Sequence, residues 1–357
     1  MQMKKLPVRS LRLVATALAV LILLSACTTQ PVHNMETLPA PFFPPVWEIQ
    51  HSPEIVLAVY RNADNTLIEA ARYFAGQIEA RTNGGLTARV ELTISPDTHL
   101  LTGQSQMALL TSRQQLEFCQ PLAATATPFL YHSAHNFLMR ANAGATMNVL
   151  EFSLRENHGL VPIAAFFQGA EHLLIDFSPG GYHHFLGTSI LASPYQGARE
   201  PFTRLAGQDG QIDYYDTSAE RLESFLQSRT NVAQVSARDL TNTYYRFVEP
   251  AYLIVSYHDI TPAWLIASAQ FIDSLSPRWR AEITQLQADM SSRINSANQR
   301  SEEEILRELE DWVNLSVVHE FSHVRNRVLN TIPELEHGAS AQEILARDLI
   351  EIMRRTG

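Results

Sequence analysis

The opening forty positions of the folded part restrict the architecture more than any other stretch. IVLAVY, Ile55 to Tyr60, is short, apolar and β-prone. NTLIEAARYFAGQIEART follows, with Leu67, Ala71, Phe74 and Ile78 at helical spacing, and it stops before Gly84-Gly85. ARVELTI, Ala88 to Ile94, alternates as a second strand. A helix between two strands lets them run parallel, and a parallel sheet needs helices on its faces. The spacing therefore predicts an α/β fold rather than a bundle or a sandwich.

Later segments extend the pattern. LVPIAAFFQGAEHLLID, Leu160 to Asp176, reads as two strands around Gly169, and TSAERLESFLQS, Thr217 to Ser228, as a helix capped by Thr217 or Ser218. AYLIVSY and AWLIASA are two further apolar runs, separated by His258-Asp259-Ile260-Thr261-Pro262. Ser276 to Trp312 has few breakers and predicts one long helix. No internal repeat is visible. About 300 residues are left to fold after the N-terminal segments, enough for two domains with separate cores.

At the N-terminus, Lys4, Lys5, Arg9 and Arg12 precede an apolar run, Leu13 to Leu24, too short to span a bilayer. Residues 1–26 read as a secretory signal peptide. Leu24-Ser25-Ala26-Cys27 resembles a bacterial lipobox, which implies lipidation of Cys27 and membrane attachment through that lipid. Residues 27–53 carry Pro31, Pro39, Pro41, Pro44 and Pro45 and predict an extended linker. Thr28 after the cysteine favours the outer over the inner membrane, on the periplasmic side.

Without those four cations, 23 of the 27 basic residues remain against 37 acidic ones, a balance of about −14 that argues against nucleic acid as a partner. Both lysines are in the leader, so the mature chain has no lysine nucleophile and no P-loop. Cys119 is the second of two cysteines; with Cys27 lipidated it has no disulfide partner and reads as a small buried hydrophobe.

VVHEFSHV, Val317 to Val324, contains His-Glu-x-x-His, the zinc-hydrolase signature when it lies on one helix. About 0.03 chance matches are expected in a chain of this composition. On a single helix Val317, Phe321, Val324 and Val328 form the apolar stripe and His319 and His323 face the other way, toward water. Glu343, Glu334, Glu336 and His337 are all at a plausible spacing for a third ligand. The other local reading makes Val313 to Val318 a strand and starts a helix after Phe321, which separates the histidines.

Taken together, RNADNTLIEAARYFAGQIEARTNGGLTARVEL, TPFLYHSAHNFL (Thr127 to Leu138), AWLIASAQFIDSLSPRWRAEI and VNLSVVHEFSHVRNRVLNTIPEL resemble, from about Glu54 to Leu335, the DctP-like solute-binding receptors of TRAP transporters. The resemblance implies a two-lobed periplasmic-binding-protein-like α/β fold with a long helix spanning the lobes. Lobe 1 is expected over 54–163 and about 248–275, and lobe 2 over 164–247 and about 276–357. It implies a small-molecule solute held between the lobes, partnership with the small and large TRAP membrane subunits, no cofactor and no catalysis.

The resemblance also points to site residues and to departures. The ligand-binding set is Arg61, Asn62, Glu171, Tyr214 and Tyr215. The family's carboxylate-binding arginine sits in a Gly-x-Arg turn that here reads Gly169-Ala170-Glu171, and its second arginine falls nearest Leu191. A ligand carboxylate against Glu171 is repelled unless another arginine intervenes, with Arg61, Arg199 and Arg140 as candidates; otherwise the ligand is neutral or cationic, or transport has been lost. The alternatives are a non-transport envelope lipoprotein keeping the fold, and a zinc hydrolase using His319, Glu320 and His323. His183-His184 is read as a loop or surface pair.

Overall fold

Strand β1 (Glu54–Tyr60) buries Ile55 through Val59 without a break, because both faces of the sheet are covered at this point. The structure, a computed structural model, describes residues 54–111, 114–194, 196–227, 230–242, 247, 249–329 and 341–355; the leader, Cys27 and the linker lie outside them. Helix α1 (Asn65–Thr82) carries the chain from β1 to β2 (Thr87–Thr93), and the two strands are parallel. Asp64 caps α1 by accepting the Thr66 N–H at 2.8 Å, and Leu67, Ala71, Phe74 and Ile78 are all buried. At its end Asn83 takes the left-handed conformation, φ 52°, followed by Gly84 at 74°. β3 (Met107–Leu110) follows α2 (Pro96–Leu101) and pairs with the other edge of β1.

Helices α3 (Gln120–Ala124), α4 (Ala134–Ala141) and α5 (Gly144–His158) precede β4 (Leu160–Ile175). β5 (Ser189–Ala192), α6 (Gln196–Ala206), β6 (Gln211–Tyr214), α7 (Ser218–Leu226), β7 (Val232–Ser236) and α8 (Ala237–Asn242) form the second α/β unit. β8 (Ala251–Ser268) and α9 (Ala269–Ser274) lead into α10 (Pro277–Glu310), the predicted long helix. β9 (Leu315–Val318), α11 (Ser322–Leu329) and α12 (Ala341–Arg355) complete the described chain.

Two expectations need correction. β4 is one strand of 16 residues and β8 one of 18, where the sequence reads as two pairs of short strands. Gly169 keeps its place in the ladder opposite Thr261, and Pro262 does not end β8 because α10 bonds the residue that faces it. Phe167 stands opposite Pro262, which has no N–H to give. Asn295 Oδ1 accepts the Phe167 N–H at 3.0 Å, and Asn298 Nδ2 donates to the Phe167 carbonyl at 2.9 Å.

β4 and β8 pair antiparallel along their length and are shared by two halves of a single sheet. In the first half the order is β2-β1-β3-β8-β4; in the second, β9-β8-β4-β7-β5-β6. Where the halves meet, Leu173 pairs with Ile254 and Glu171 with Asp259, so the four residues Val255–His258 face the single residue His172. This is a large β-bulge, with Tyr257 at φ 45°. Apolar clusters cover both faces of each half, and α10 contributes Ile283 and Leu286 to the first half and Leu306 and Leu309 to the second. α12 packs on the first half, with Leu349 and Met353 among Leu122 and Leu150, although the sequence-based division places it in lobe 2. Cys119 is buried as expected, its Sγ 3.6 Å from Ser153 Oγ.

Candidate ligand site at the junction of the two halves

The bulge concentrates polar side chains that the surrounding apolar clusters leave no room for elsewhere. On the α10 side, His172 is fully buried. Its Nδ1 accepts the Tyr257 N–H at 3.3 Å, so the ring proton is on Nε2 and is donated to Glu302 Oε1 at 2.9 Å. Burial first, then the charges of Glu302 and Glu303, push the Tyr257 phenol up to about 12.

The opposite side holds Glu171. Its Oε1 accepts from Arg221 Nη2 at 2.7 Å, in a pair whose side chains are 20% and 1% exposed. Arg221 also donates from Nε to the Gln234 carbonyl at 2.6 Å and from Nη1 to the Tyr215 carbonyl at 2.8 Å. Gln234 in turn donates to the Asp259 carboxylate and accepts the Ser193 N–H at 2.8 Å. Glu171 Oε2 is buried with no hydrogen-bond partner. Arg221 comes from α7, whose start is fixed by a capping box between Thr217 and Glu220.

The structure therefore joins Glu171 to the backbone of Tyr215 through an arginine that sequence reasoning did not weigh. Its signal was present: Ser218, Arg221, Leu222 and Phe225 share the buried face of α7, so Arg221 is a charge on an apolar stripe. Tyr214 lies half-buried against the cluster containing Phe202, while the Tyr215 side chain is exposed. Arg61 and Asn62 are exposed at the tip of β1, Asn62 reaching the Tyr60 hydroxyl at 3.5 Å. Two residues beyond Ser236, the ladder partner of Glu171, Arg238 reaches across to Asp64 at 2.8 Å and so draws the β1 tip toward the second half. Arg140 is committed elsewhere, donating to the Leu130 carbonyl at 3.1 Å, and the Arg199 side chain lies outside the described residues. Leu191, nearest the second expected arginine, is fully buried on β5.

On the same junction Phe129 projects from the first half into the cluster of the second. It is fully buried at φ 66°, its N–H bonded to the His258 carbonyl and its ring against Phe202, His258 and Phe321. Beyond Phe321 lies a cavity of about 290 Å³, with Arg325, His132, Ser256 and Ser322 among its lining groups.

The His-Glu-x-x-His segment straddles β9 and α11, as the strand-plus-helix reading expects. His319 follows the strand and reaches Glu310 Oε1 at 3.2 Å, whereas His323 is on the helix. Glu320 is tied to Ser322: the side-chain hydroxyl first, then the backbone N–H, hold its carboxyl below the usual range. Among the described residues no three histidine, cysteine or carboxylate groups converge as a metal site. Glu334, Glu336 and His337 lie outside the described residues. His183 and His184 occupy a short surface 3-10 turn.

A sheet in two halves joined through long shared strands, with one helix laid across the junction, is the two-lobed periplasmic-binding-protein-like α/β fold. Solved structures share this fold. A TRAP periplasmic solute-binding protein from Ochrobactrum anthropi, with its C-terminus bound in the ligand pocket, superposes with TM-score 0.64 at 15% identity over 86% of this chain and 91% of that one. An apo, open relative from Rhodobacter sphaeroides gives 0.70 at 15% over 85% and 100%, and one from Chromohalobacter salexigens with bound D-glucuronate gives 0.61 at 13% over 85% and 100%. The resemblance read from the sequence holds at the level of fold. No family model matches the sequence, and no curated protein does.

Proposed function

We propose that the chain is a lipid-anchored, periplasm-facing solute-binding protein of TRAP type. In this reading it holds a small molecule between the two halves of its sheet and presents it to the small and large TRAP membrane subunits. The observation that carries it is the pair of shared strands, β4 and β8, whose ladder is interrupted at one level by the Val255–His258 bulge. A junction of this kind lets two rigid halves pivot around an enclosed ligand. The lobes follow the halves of the sheet, and the ligand contacts proposed are Arg61, Asn62, Glu171, Tyr214 and Tyr215. No cofactor and no reaction belong to this reading.

The chemistry at Glu171 departs from the one implied by the resemblance. Arg221 already neutralises Glu171, so the locus as built accepts a hydroxyl or an ammonium at Oε2 more readily than a second carboxylate. A second reading, an envelope lipoprotein that keeps the fold without transport, is favoured by the Phe129 ring filling the junction. Thermal-shift screening of the full chain against organic acids, amines and sugars separates the two: saturable stabilisation by a small molecule supports the receptor, and none across the panel refutes it. Labelling with radioactive palmitate tests the anchor, which requires label on the chain and its loss in Cys27→Ala.

A further inference from the structure

We propose that the junction carries a pH-sensitive pin: the neutral His172 imidazole holds the Val255–His258 bulge to β4, and protonation of that ring releases it. This is a property of the junction itself and stands whether or not a solute binds there. His172 is the single residue that faces the four of the bulge, and its side chain is fully buried. Its two ring nitrogens serve different elements. Nδ1 accepts the Tyr257 N–H of the bulge at 3.3 Å, and Nε2 meets Glu302 Oε1 of α10 at 2.9 Å. Only the neutral ring can do the first, since a protonated imidazole donates from both nitrogens.

The counter-charge for that proton is already in place. The buried row of α10 runs through Met290, Ile294, Asn298, Glu302 and Leu306, and Glu302 is its one ionisable side chain. A carboxylate in contact with Nε2 favours the imidazolium. The cost falls on the other nitrogen, where an Nδ1–H confronts the Tyr257 N–H and the amide loses its acceptor. Tyr257 holds a left-handed φ of 45°, which is strained for a residue with a side chain, so the released backbone has a more favourable conformation to adopt. The neutral ring thus ties β8 to β4, and the charged ring ties β4 to α10 and lets β8 go.

The other titratable groups around His172 have partners or keep one state. On β8 the Tyr257 phenol, pushed up to about 12 by burial and then by the charges of Glu302 and Glu303, stays neutral, and Asp259 accepts from Gln234. Glu171 of β4 is paired with Arg221 of α7, and on α8 Arg238 bonds Asp64 and Asp239 bonds Ser236. β7 places Val235 opposite His172, between the neutral Gln234 and Ser236. His258, the other imidazole of the bulge, has its Nδ1 2.7 Å from Ser256 Oγ and its ring against Phe129 and Phe202. The bond from the Phe129 N–H to the His258 carbonyl involves no titrating atom, so release is confined to the Tyr257 side.

The test is amide hydrogen exchange of the purified full chain, resolved by residue with NMR, from about pH 7.5 to pH 5, across which an imidazole ordinarily changes charge. Corrected for intrinsic exchange, protection of the Tyr257 amide should fall about tenfold toward the acid end, the size of one lost hydrogen bond, while the β1 amides keep theirs. His172→Gln retains a donor for Glu302 and takes up no proton, so its Tyr257 protection should be flat across the range. Glu302→Gln still accepts from Nε2 but withdraws the counter-charge, so the fall should move to lower pH by about one unit. Urea midpoints establish that each variant is folded; if His172→Gln is not, the shift in Glu302→Gln decides. Parent protection that ignores pH, a fall shared by the β1 amides, or a fall that stays in place or moves to higher pH in Glu302→Gln overturns the inference. So does a fall that persists in His172→Gln, which would assign it to His258.

Discussion

Arg221 gives the sharpest test of how the junction is held. It is 1% exposed and spends three donors on Glu171, Gln234 and Tyr215, at 2.7, 2.6 and 2.8 Å. Arg221→Met keeps much of the side-chain volume but strands two carbonyls and a carboxylate whose side chain is 20% exposed. Removing one partner of a buried ion pair costs about 3–5 kcal/mol, and the residual solvation of Glu171 places this case toward the lower end. Glu171→Gln should cost about 1–2 kcal/mol, since the amide oxygen still accepts from Nη2. In the double variant neither charge is stranded, so the effects should fall short of additive by about 2–3 kcal/mol. Equilibrium urea denaturation followed by tryptophan fluorescence measures all four corners. Additive effects, or a loss below about 1 kcal/mol for Arg221→Met, would refute the view that the Arg221–Glu171 pair holds the junction together.

Two further outcomes can be measured in the same way. Phe129 is fully buried and holds a left-handed φ of 66°, so Phe129→Ala should cost about 3–5 kcal/mol in cavity and contacts, while Phe129→Gly, relieved of about 1–2 kcal/mol of backbone strain, should be the less damaging of the two; the reverse order of urea midpoints refutes the strain. At Asp64 burial acts to raise the carboxyl, but the Thr66 N–H and the Arg238 guanidinium outweigh it and leave the folded value below the ordinary 3.8. Its stabilisation is thus complete above pH 3.8 and is lost as pH falls below that through the folded value. Asp64→Asn keeps a cap but cannot titrate, so its stability deficit should shrink between pH 5 and pH 3, and parallel curves for the two proteins contradict the assignment.

The sequence made local structure legible wherever one segment sufficed to decide it. The α1 stripe, a cap at Thr217 or Ser218, the extent of α10 and, as one of two readings, the division of VVHEFSHV between a strand and a helix all follow from spacing within ten to thirty residues. Continuity of β4 and β8 did not, because the groups that satisfy Phe167 opposite Pro262 lie on α10, far along the chain. Long-range pairing likewise hid the partner of Glu171, fifty positions away in α7. Arg221 and Arg325 were nevertheless marked locally, each as a cation on an otherwise apolar helical face. A charge in that position needs a partner, and looking for such exceptions would have found both.

The paired amides of Asn295 and Asn298 have a mechanical consequence. They grip one residue of β4, through both its N–H and its carbonyl, at the point where the neighbouring strand has a proline. α10 thereby acts as a splint along the first stretch of β4, and the His172–Glu302 contact fastens it again one step further on. The four-residue bulge of β8 is gripped in turn, Tyr257 through its N–H by His172 and His258 through its carbonyl by the Phe129 N–H, so the long helix, β4 and the Phe129 loop are braced together at a single level of the sheet.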